Sequence, residues 1–171
     1  MRVLVACVGN IFLGDDGFGS AVAGELRGRS LGPEVRVEDF GIRSVHLAYE
    51  LLEGYDVLVV VDTFAQQEGQ PGTLYVIEPD LPARDERADP LPEVMLDPHD
   101  LTPGGVMSLL PTLGGAVDRI LVVGCQPEVL DDGIGLSPAV QAAVQPAADL
   151  VREVVRRELD RPDPALAGGG G

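Results

Sequence analysis

Lysine is absent from this chain of 171 residues, and all 12 of its basic residues are arginine. A P-loop uses a lysine to reach the phosphates of its nucleotide, so the chain is not a P-loop protein. A phosphate-accepting signalling domain places paired acidic residues after its first strand, but it also needs a lysine after a late strand. The missing lysine excludes both classes.

Positive charge is scarce in this sequence. The 12 basic residues are outnumbered by 28 acidic ones, which gives a formal net charge of −16 at pH 7. Nucleic acids and anionic membranes are bound by clustered positive charge, so we expect no partner of either kind. No apolar run approaches the ~18 residues of a membrane span. The first run lacks a signal-peptide cleavage site, and we expect a cytoplasmic protein.

Cysteine is equally scarce, since only Cys7 and Cys125 occur. They lie far apart in the sequence, and each follows an apolar run. Free cysteines are among the residues most often found in protein interiors. We therefore expect two buried thiols rather than a disulfide.

The first part of the chain alternates between strand and helix patterns. Short β-branched apolar runs predict strands, and apolar residues at helical spacing predict helices between them. The run DVLVVVD at 56–62 is apolar on both faces, as is typical of a central strand in a parallel sheet. The predicted elements are strands at 2–8, 34–40 and 56–62, and helices at 17–27 and from Ser44 onward. This order predicts a doubly wound α/β domain.

The alternation breaks after residue 62. Only TFAQQEGQPG separates that strand from the strand pattern at 73–78, whereas a helical crossover needs a dozen or more residues. We therefore expect 73–78 to run antiparallel to the other strands, at an edge of the sheet. Further predicted elements are a proline-rich acidic loop at 79–98, a helix at 104–113, a strand at 119–124 and a helix that begins at Ser137 and Pro138.

The expected fold class is a three-layer α/β/α sandwich of the phosphorylase/hydrolase-like type. Its twisted, five-stranded sheet is mostly parallel and has one antiparallel edge strand. We expect a single domain over residues 1–158, because a chain of this length can bury one continuous core. Residues 159–171 are glycine-rich without apolar periodicity, which predicts a disordered tail.

Acidic residues and a histidine follow several of the predicted strands. Asp15 and Asp16 lie in VGNIFLGDDGFG after the first strand, Asp62 ends the third strand, and His99 lies in DPHDL. In an open α/β sheet, ligands bind beyond the carboxyl ends of the parallel strands. Two carboxylates and an imidazole at that edge favour zinc, nickel, copper or iron over magnesium.

Each candidate residue also has a purely structural interpretation. Asp15 or Asp16 could be the N-cap of the following helix. Asp62 could begin a loop, and His99 could orient its own loop. His46 is a weaker candidate, because Glu50 and Glu53 lie at helical spacing from it, which predicts a solvated ion pair. A dinucleotide site is disfavoured, because two carboxylates occupy the place of a pyrophosphate.

Four segments together resemble the nickel–iron hydrogenase maturation endopeptidases. They are VGNIFLGDDGFG, VVVDTF with PGTLYVIE, DPHDL with VMSLL, and VVGCQPE with GIGLSP, and the resemblance covers about residues 1–157. Two positions depart from the family pattern. Cys7 stands where a glycine is usual, and EDFGI replaces an Asp-Gly-Gly-type turn around Gly41.

The resemblance implies a cytoplasmic endopeptidase that removes a C-terminal peptide from the hydrogenase large-subunit precursor. It implies that Asp16, Asp62 and His99 are both the catalytic residues and the metal ligands. The metal is nickel that the precursor already carries, and zinc or cadmium could replace it in a crystal. The partner is the precursor, and we expect the enzyme to be a monomer. Asp15 would cap or orient the turn.

Two other classes compete with a processing protease. One is a non-catalytic nickel-binding chaperone or checkpoint module on the same fold. Such a site would more naturally use several His or Cys ligands, and the chain has two of each. The other is a metal-dependent hydrolase of small molecules, which would need a more closed pocket. HExxH is absent, so the sequence indicates no permanently held catalytic zinc.

Overall fold

The computed structural model describes residues 1–79 and 117–161. His99, the predicted helix at 104–113, nearly all of the predicted loop at 79–98 and most of the predicted tail lie outside these residues. The strands are β1 (Val3–Val8), β2 (Val35–Gly41), β3 (Val57–Thr63), β4 (Leu74–Ile77) and β5 (Arg119–Cys125). The helices are α1 (Phe18–Leu26), α2 (Ser44–Leu51) and α3 (Pro138–Leu159), and a short 3₁₀ helix, Gly14–Gly17, precedes α1.

The sheet confirms the predicted topology. The five strands lie in the order β2-β1-β3-β5-β4, with the first four parallel and β4 antiparallel to β5 at one edge. Residues 64–72 contain no helix. The chain after β3 therefore returns as a short loop, because it is too short to cross over the sheet as a helix.

The sheet has a buried core on each face. On one face, β1, β3 and β5 pack against α1 and α3, through side chains such as Val5, Phe18 and Val151. On the other face, Leu4 and Leu58 pack against Leu47 of α2. The alternating side chains of each central strand supply both cores, which explains why β1 and the first five residues of β3 are apolar. The three layers are those expected from the sequence.

Both cysteines are free and buried, as expected. Burial, with a smaller contribution from the charge of Asp39, raises the pKa of the Cys7 thiol to about 12. Burial and the charge of Asp15 raise the pKa of Cys125 to about 11. Neutral, inaccessible thiols are poor nucleophiles, so these cysteines have a packing role.

The helices begin and end for local reasons. Ser137 is the N-cap of α3, where its hydroxyl accepts a hydrogen bond from the Val140 amide at 3.4 Å, and Pro138 occupies the first turn. The helix continues as one element across Pro146. None of the helices in residues 1–79 and 117–161 is long and apolar enough to cross a membrane.

Candidate active site

Two of the three predicted site residues lie at the carboxyl edge of the sheet. Asp16 belongs to the 3₁₀ helix that follows β1, and Asp62 is the penultimate residue of β3. Because β1 and β3 are parallel neighbours, the segments that follow them leave the sheet on the same side. Asp62 is 7% exposed, and Asp16 is half-buried.

Thr63 joins the two carboxylates. Its hydroxyl donates to Oδ1 of Asp16 at 3.2 Å, and its backbone N–H donates to Oδ1 of Asp62 at 2.7 Å. The second oxygen of Asp16 accepts the Asn10 N–H at 2.7 Å. These bonds fix the orientation of both carboxylates in the folded protein, so the site is pre-organised. Thr63 was not among the residues predicted from the sequence, although it directly follows Asp62 in the segment VVVDTF.

Gly9 makes room for this arrangement. Its φ is +129°, a conformation that side-chain-bearing residues rarely adopt. A Cβ atom on Gly9 would lie 2.0 Å from the backbone oxygen of Asp16 and 3.8 Å from Oδ1 of Asp62. The turn after β1 can therefore approach the end of β3 only because residue 9 is glycine.

The environment of Asp62 changes its acidity. Burial is the main cause, and with the nearby negative charge of Asp16 it raises the pKa of Asp62 to about 7, while the Thr63 N–H opposes the shift. Two carboxylates this close repel each other when both are charged. A bound cation would relieve that repulsion, and a carboxylate that titrates near neutral pH is also suited to exchange protons with a water molecule.

Asp15 has a different role from its neighbour. Its buried carboxylate accepts the backbone N–H groups of Glu128, Val129 and Ser137 at 2.6–2.8 Å, and the Ser137 hydroxyl at 3.0 Å. Burial alone would raise the pKa of Asp15, but these hydrogen bonds outweigh it and lower the pKa. Asp15 thus anchors the turn after β1 to the loop before α3.

The N-cap interpretation of the two aspartates is wrong. The N-cap of the 3₁₀ helix is Leu13 and that of α1 is Gly17, and neither makes a side-chain capping bond. The alternative expectation, that Asp15 orients the turn, is confirmed. Its partners lie more than 100 positions away, and local sequence spacing does not reveal such partners.

The loop after Asp62 is held by Gln126, another residue that was not predicted from the sequence. The Gln126 side chain is buried, and its oxygen accepts the Gln66 N–H at 2.8 Å. Its own amide donates to the Gln66 carbonyl at 3.4 Å. Gln126 lies in the quoted segment VVGCQPE, directly after β5. This contact holds the loop that follows β3 against the end of β5, at the edge of the sheet where Asp62 lies.

Of the two histidines, His46 lies among the residues that the structure describes and His99 does not. His46 is exposed on α2, as expected of a solvated side chain, but the predicted ion pair with Glu50 or Glu53 is wrong. Glu50 instead pairs with Arg36 at 3.2 Å and accepts the Tyr55 hydroxyl, and His46 forms no ion pair within the described residues. The position of His99 is not described. Within residues 1–79 and 117–161, no three His, Cys, Asp or Glu side chains cluster as a metal site would require. The structure thus brings Asp16 and Asp62 together, and the role of His99 stays a prediction.

Comparison with known proteins identifies the family. The sequence profile of the HycI family, described as hydrogenase maturation protease, matches residues 21–154. The chain belongs to the hydrogenase maturation protease family. It is 32% identical over 157 residues to the hydrogenase 2 maturation protease of Escherichia coli K12. The aligned region covers 91% of this chain and 92% of that protein. As a member of this family, the protease is a hydrolase.

Solved structures agree with this assignment. The hydrogenase maturating endopeptidase HybD from E. coli matches this maturation protease with a TM-score of 0.71 and 27% identity, over 92% of this chain and 94% of that one. The hydrogenase 2 maturation peptidase from Thaumarchaeota archaeon SCGC_AB-539-E09 matches with a TM-score of 0.65 and 31% identity, over 91% and 98% of the two chains. The shared fold is the mostly parallel α/β sandwich with its antiparallel edge strand.

Proposed function

We propose that this maturation protease removes the C-terminal extension of a nickel-loaded [NiFe] hydrogenase large-subunit precursor. In this proposal Asp16, Asp62 and His99 recognise nickel that is already inserted in the precursor. The nickel belongs to the substrate, and the protease acts as a monomer in the cytoplasm. The observation that carries the proposal is the pairing of Asp16 and Asp62 through Thr63 at the carboxyl edge of the sheet.

Each proposed ligand has a role in this reaction. Asp16 and Asp62 supply oxygen ligands on one side of the nickel, and their mutual repulsion falls when the cation binds between them. His99 supplies the imidazole that favours nickel or zinc over magnesium. In the hydrolysis, water adds to the scissile carbonyl carbon, the C–N bond breaks and the departing amine takes a proton. The two carboxylates orient the nickel-bearing end of the precursor for this step.

The test compares nickel-loaded and nickel-free precursor as substrates. The purified protease is incubated with each, and the mass of the precursor is measured. We expect a shortened product only from the nickel-loaded form. Equal cleavage of both forms would overturn the recognition of nickel. If the protein binds nickel but no shortened product forms, the non-catalytic nickel-binding chaperone is favoured instead.

Four variants test the site itself. Asp16→Asn, Asp62→Asn and His99→Ala each remove one proposed ligand, and we expect processing to fall by at least about 100-fold in each. His46→Ala is the matched control, because His46 is exposed on α2, and it should process normally. Thermal melts confirm that each variant is folded. Normal cleavage by Asp62→Asn, or equal damage from His46→Ala, would show that the site is assigned wrongly.

A further inference from the structure

Exposed large apolar side chains are concentrated on two loops next to the candidate active site. One loop follows β1, and the other, residues 126–137, connects β5 to α3. We call these side chains the apolar platform. They are Ile11 at 48%, Phe12 at 60%, Val129 at 42%, Leu130 at 48% and Ile134 at 80% exposed. Scattered apolar residues are normal on a surface, but a group of this size indicates an interaction site.

The two loops are fastened to each other. The Gly133 N–H donates to the Phe12 carbonyl at 2.9 Å, and the Gly14 N–H donates to the Gly133 carbonyl at 2.9 Å. The carboxylate of Asp15 adds its bonds to Glu128 and Val129. The platform is therefore a pre-organised surface, so a partner that binds it does not have to order the loops first.

The platform lies at the edge of the sheet that carries the carboxylates. Strands β1 and β5 are the two neighbours of β3, and the three run parallel. The loops that follow β1 and β5 thus flank the end of β3, where Asp62 lies. The first loop also leads directly into Asp16, and the Asn10 N–H binds its carboxylate. A partner seated on the platform would therefore lie beside both carboxylates.

The charge around the platform indicates the chemistry of its partner. Glu128, Asp131 and Asp132 are exposed next to its apolar residues in the loop 126–137. None of the three forms an ion pair with another residue in the described part of the chain. Such an acidic border favours a partner with basic residues around an apolar centre. A second copy of this chain is disfavoured, because its own border carries the same negative charge.

We infer that the apolar platform is the docking surface for the folded body of the substrate precursor, separate from the peptide that is cut. The precursor would present an apolar patch bordered by Arg or Lys. This inference rests on the proposed function, because it takes the partner to be the precursor. It adds a second point of recognition, which holds the precursor in place while its nickel-bearing end reaches Asp16 and Asp62.

Binding and cleavage of nickel-loaded precursor are measured separately with two matched double variants. The platform variant carries Phe12→Gln and Ile134→Gln. The control carries Tyr49→Gln and Leu52→Gln, which replace side chains of α2 and its C-cap that are 67% and 47% exposed. We expect the platform variant to raise Kd and KM at least about tenfold, with kcat at saturating precursor unchanged. The control should bind and cleave like the unaltered protease.

A charge variant tests the acidic border. Replacing Glu128→Gln, Asp131→Asn and Asp132→Asn together should slow association about tenfold at low ionic strength. It should also make the binding less sensitive to salt. If salt sensitivity and association rate stay the same, the proposed basic border on the precursor is wrong.

The outcomes separate this inference from the proposed function. Suppose that the unaltered protease cleaves the precursor and that the platform variant has normal Kd and KM. This result would overturn the docking surface but not the proposed function. Platform-dependent binding without any cleavage would support the docking surface and overturn the proteolytic role. A precursor neither bound nor cleaved would overturn both. If this chain forms a dimer, and Phe12→Gln with Ile134→Gln dissociates it, then a second copy occupies the platform. That result would also overturn the inference.

Discussion

Asp15 binds Ser137 through both carboxylate oxygens: Oδ1 accepts the Ser137 backbone N–H at 2.6 Å, and Oδ2 accepts its hydroxyl at 3.0 Å. The two residues are 122 positions apart in sequence. The same Ser137 is the N-cap of α3, so this contact joins the turn after β1 to the start of the last described helix. A buried carboxylate with this many partners is a major support of the fold around the site.

We predict that Asp15→Ala destabilises the protein by about 3 kcal/mol, because it leaves buried N–H groups without an acceptor. Urea denaturation measures the loss. The control is Asp131→Ala, an exposed aspartate in the same loop, for which we expect a change below about 0.5 kcal/mol. Equal stability of the two variants would contradict the anchoring role of Asp15.

The stabilisation by Asp15 should also depend on pH. Its pKa is lower in the folded protein than the ordinary 3.8, so the unfolded chain binds more protons in acid. The contribution of Asp15 is therefore complete above pH 3.8 and is lost as the pH falls through the lowered pKa. We expect the stability difference between the unaltered protein and Asp15→Asn to shrink in that acid range. Denaturation at pH 3 and pH 6 measures it.

Asp62 should show the opposite dependence. Its pKa is raised to about 7, so the folded protein holds a proton that the unfolded chain releases above pH 3.8. Stability should then decrease as the pH rises from about 4 to 7. Asp62→Asn keeps the shape and the acceptor for the Thr63 N–H without the charge. We expect this variant to gain about 1–3 kcal/mol over the unaltered protein at pH 8, and less at pH 5.

Urea denaturation at both pH values tests this prediction. Asp149→Asn, at an exposed position of α3, serves as the control and should show no such gain. If Asp62→Asn is less stable than the unaltered protein at pH 8, the prediction is contradicted. The site would then already compensate the charge of Asp62 without a bound partner. The same variant is expected to lose processing, so stability and function would change in opposite directions.

Thr63 is predicted to be a positioning residue. Thr63→Val keeps the shape but removes the hydroxyl that donates to Asp16. We expect kcat/KM for precursor cleavage to fall about tenfold, while the thermal melt changes little. Thr63→Ser restores a hydroxyl and should recover most of the activity. If Val and Ser variants lose activity equally, the hydrogen bond to Asp16 is not the cause.

Gly9→Ala should disrupt the turn between the two carboxylates. The new Cβ would collide with the Asp16 carbonyl, and we expect a loss of about 3 kcal/mol together with a loss of processing. Gly54→Ala is the matched control. Gly54 also has a positive φ, of +80°, but a Cβ there would meet nothing within 4 Å. It should cost only about 1 kcal/mol in urea denaturation, from backbone strain.

Much of the fold follows from local features of the sequence. The apolar run of β3 predicts a strand buried on both faces because alternate side chains must fill two cores. The short segment between β3 and β4 predicts the antiparallel edge strand because a helix does not fit into it. Asp16 and Asp62 could be assigned to one edge of the sheet for a similar reason, since parallel strands end on the same side.

Tertiary structure alone decided how that edge is built. The partners of Asp15 and the contact between Gln126 and Gln66 join segments distant in sequence, and nothing local distinguishes these residues from ordinary loop or cap residues. The same holds for Thr63, whose hydroxyl reaches Asp16 across 47 positions. Residue spacing and apolar patterns act along the chain and determine the elements and their order. Hydrogen bonds between loops depend on where the folded sheet places them, and those bonds orient the carboxylates.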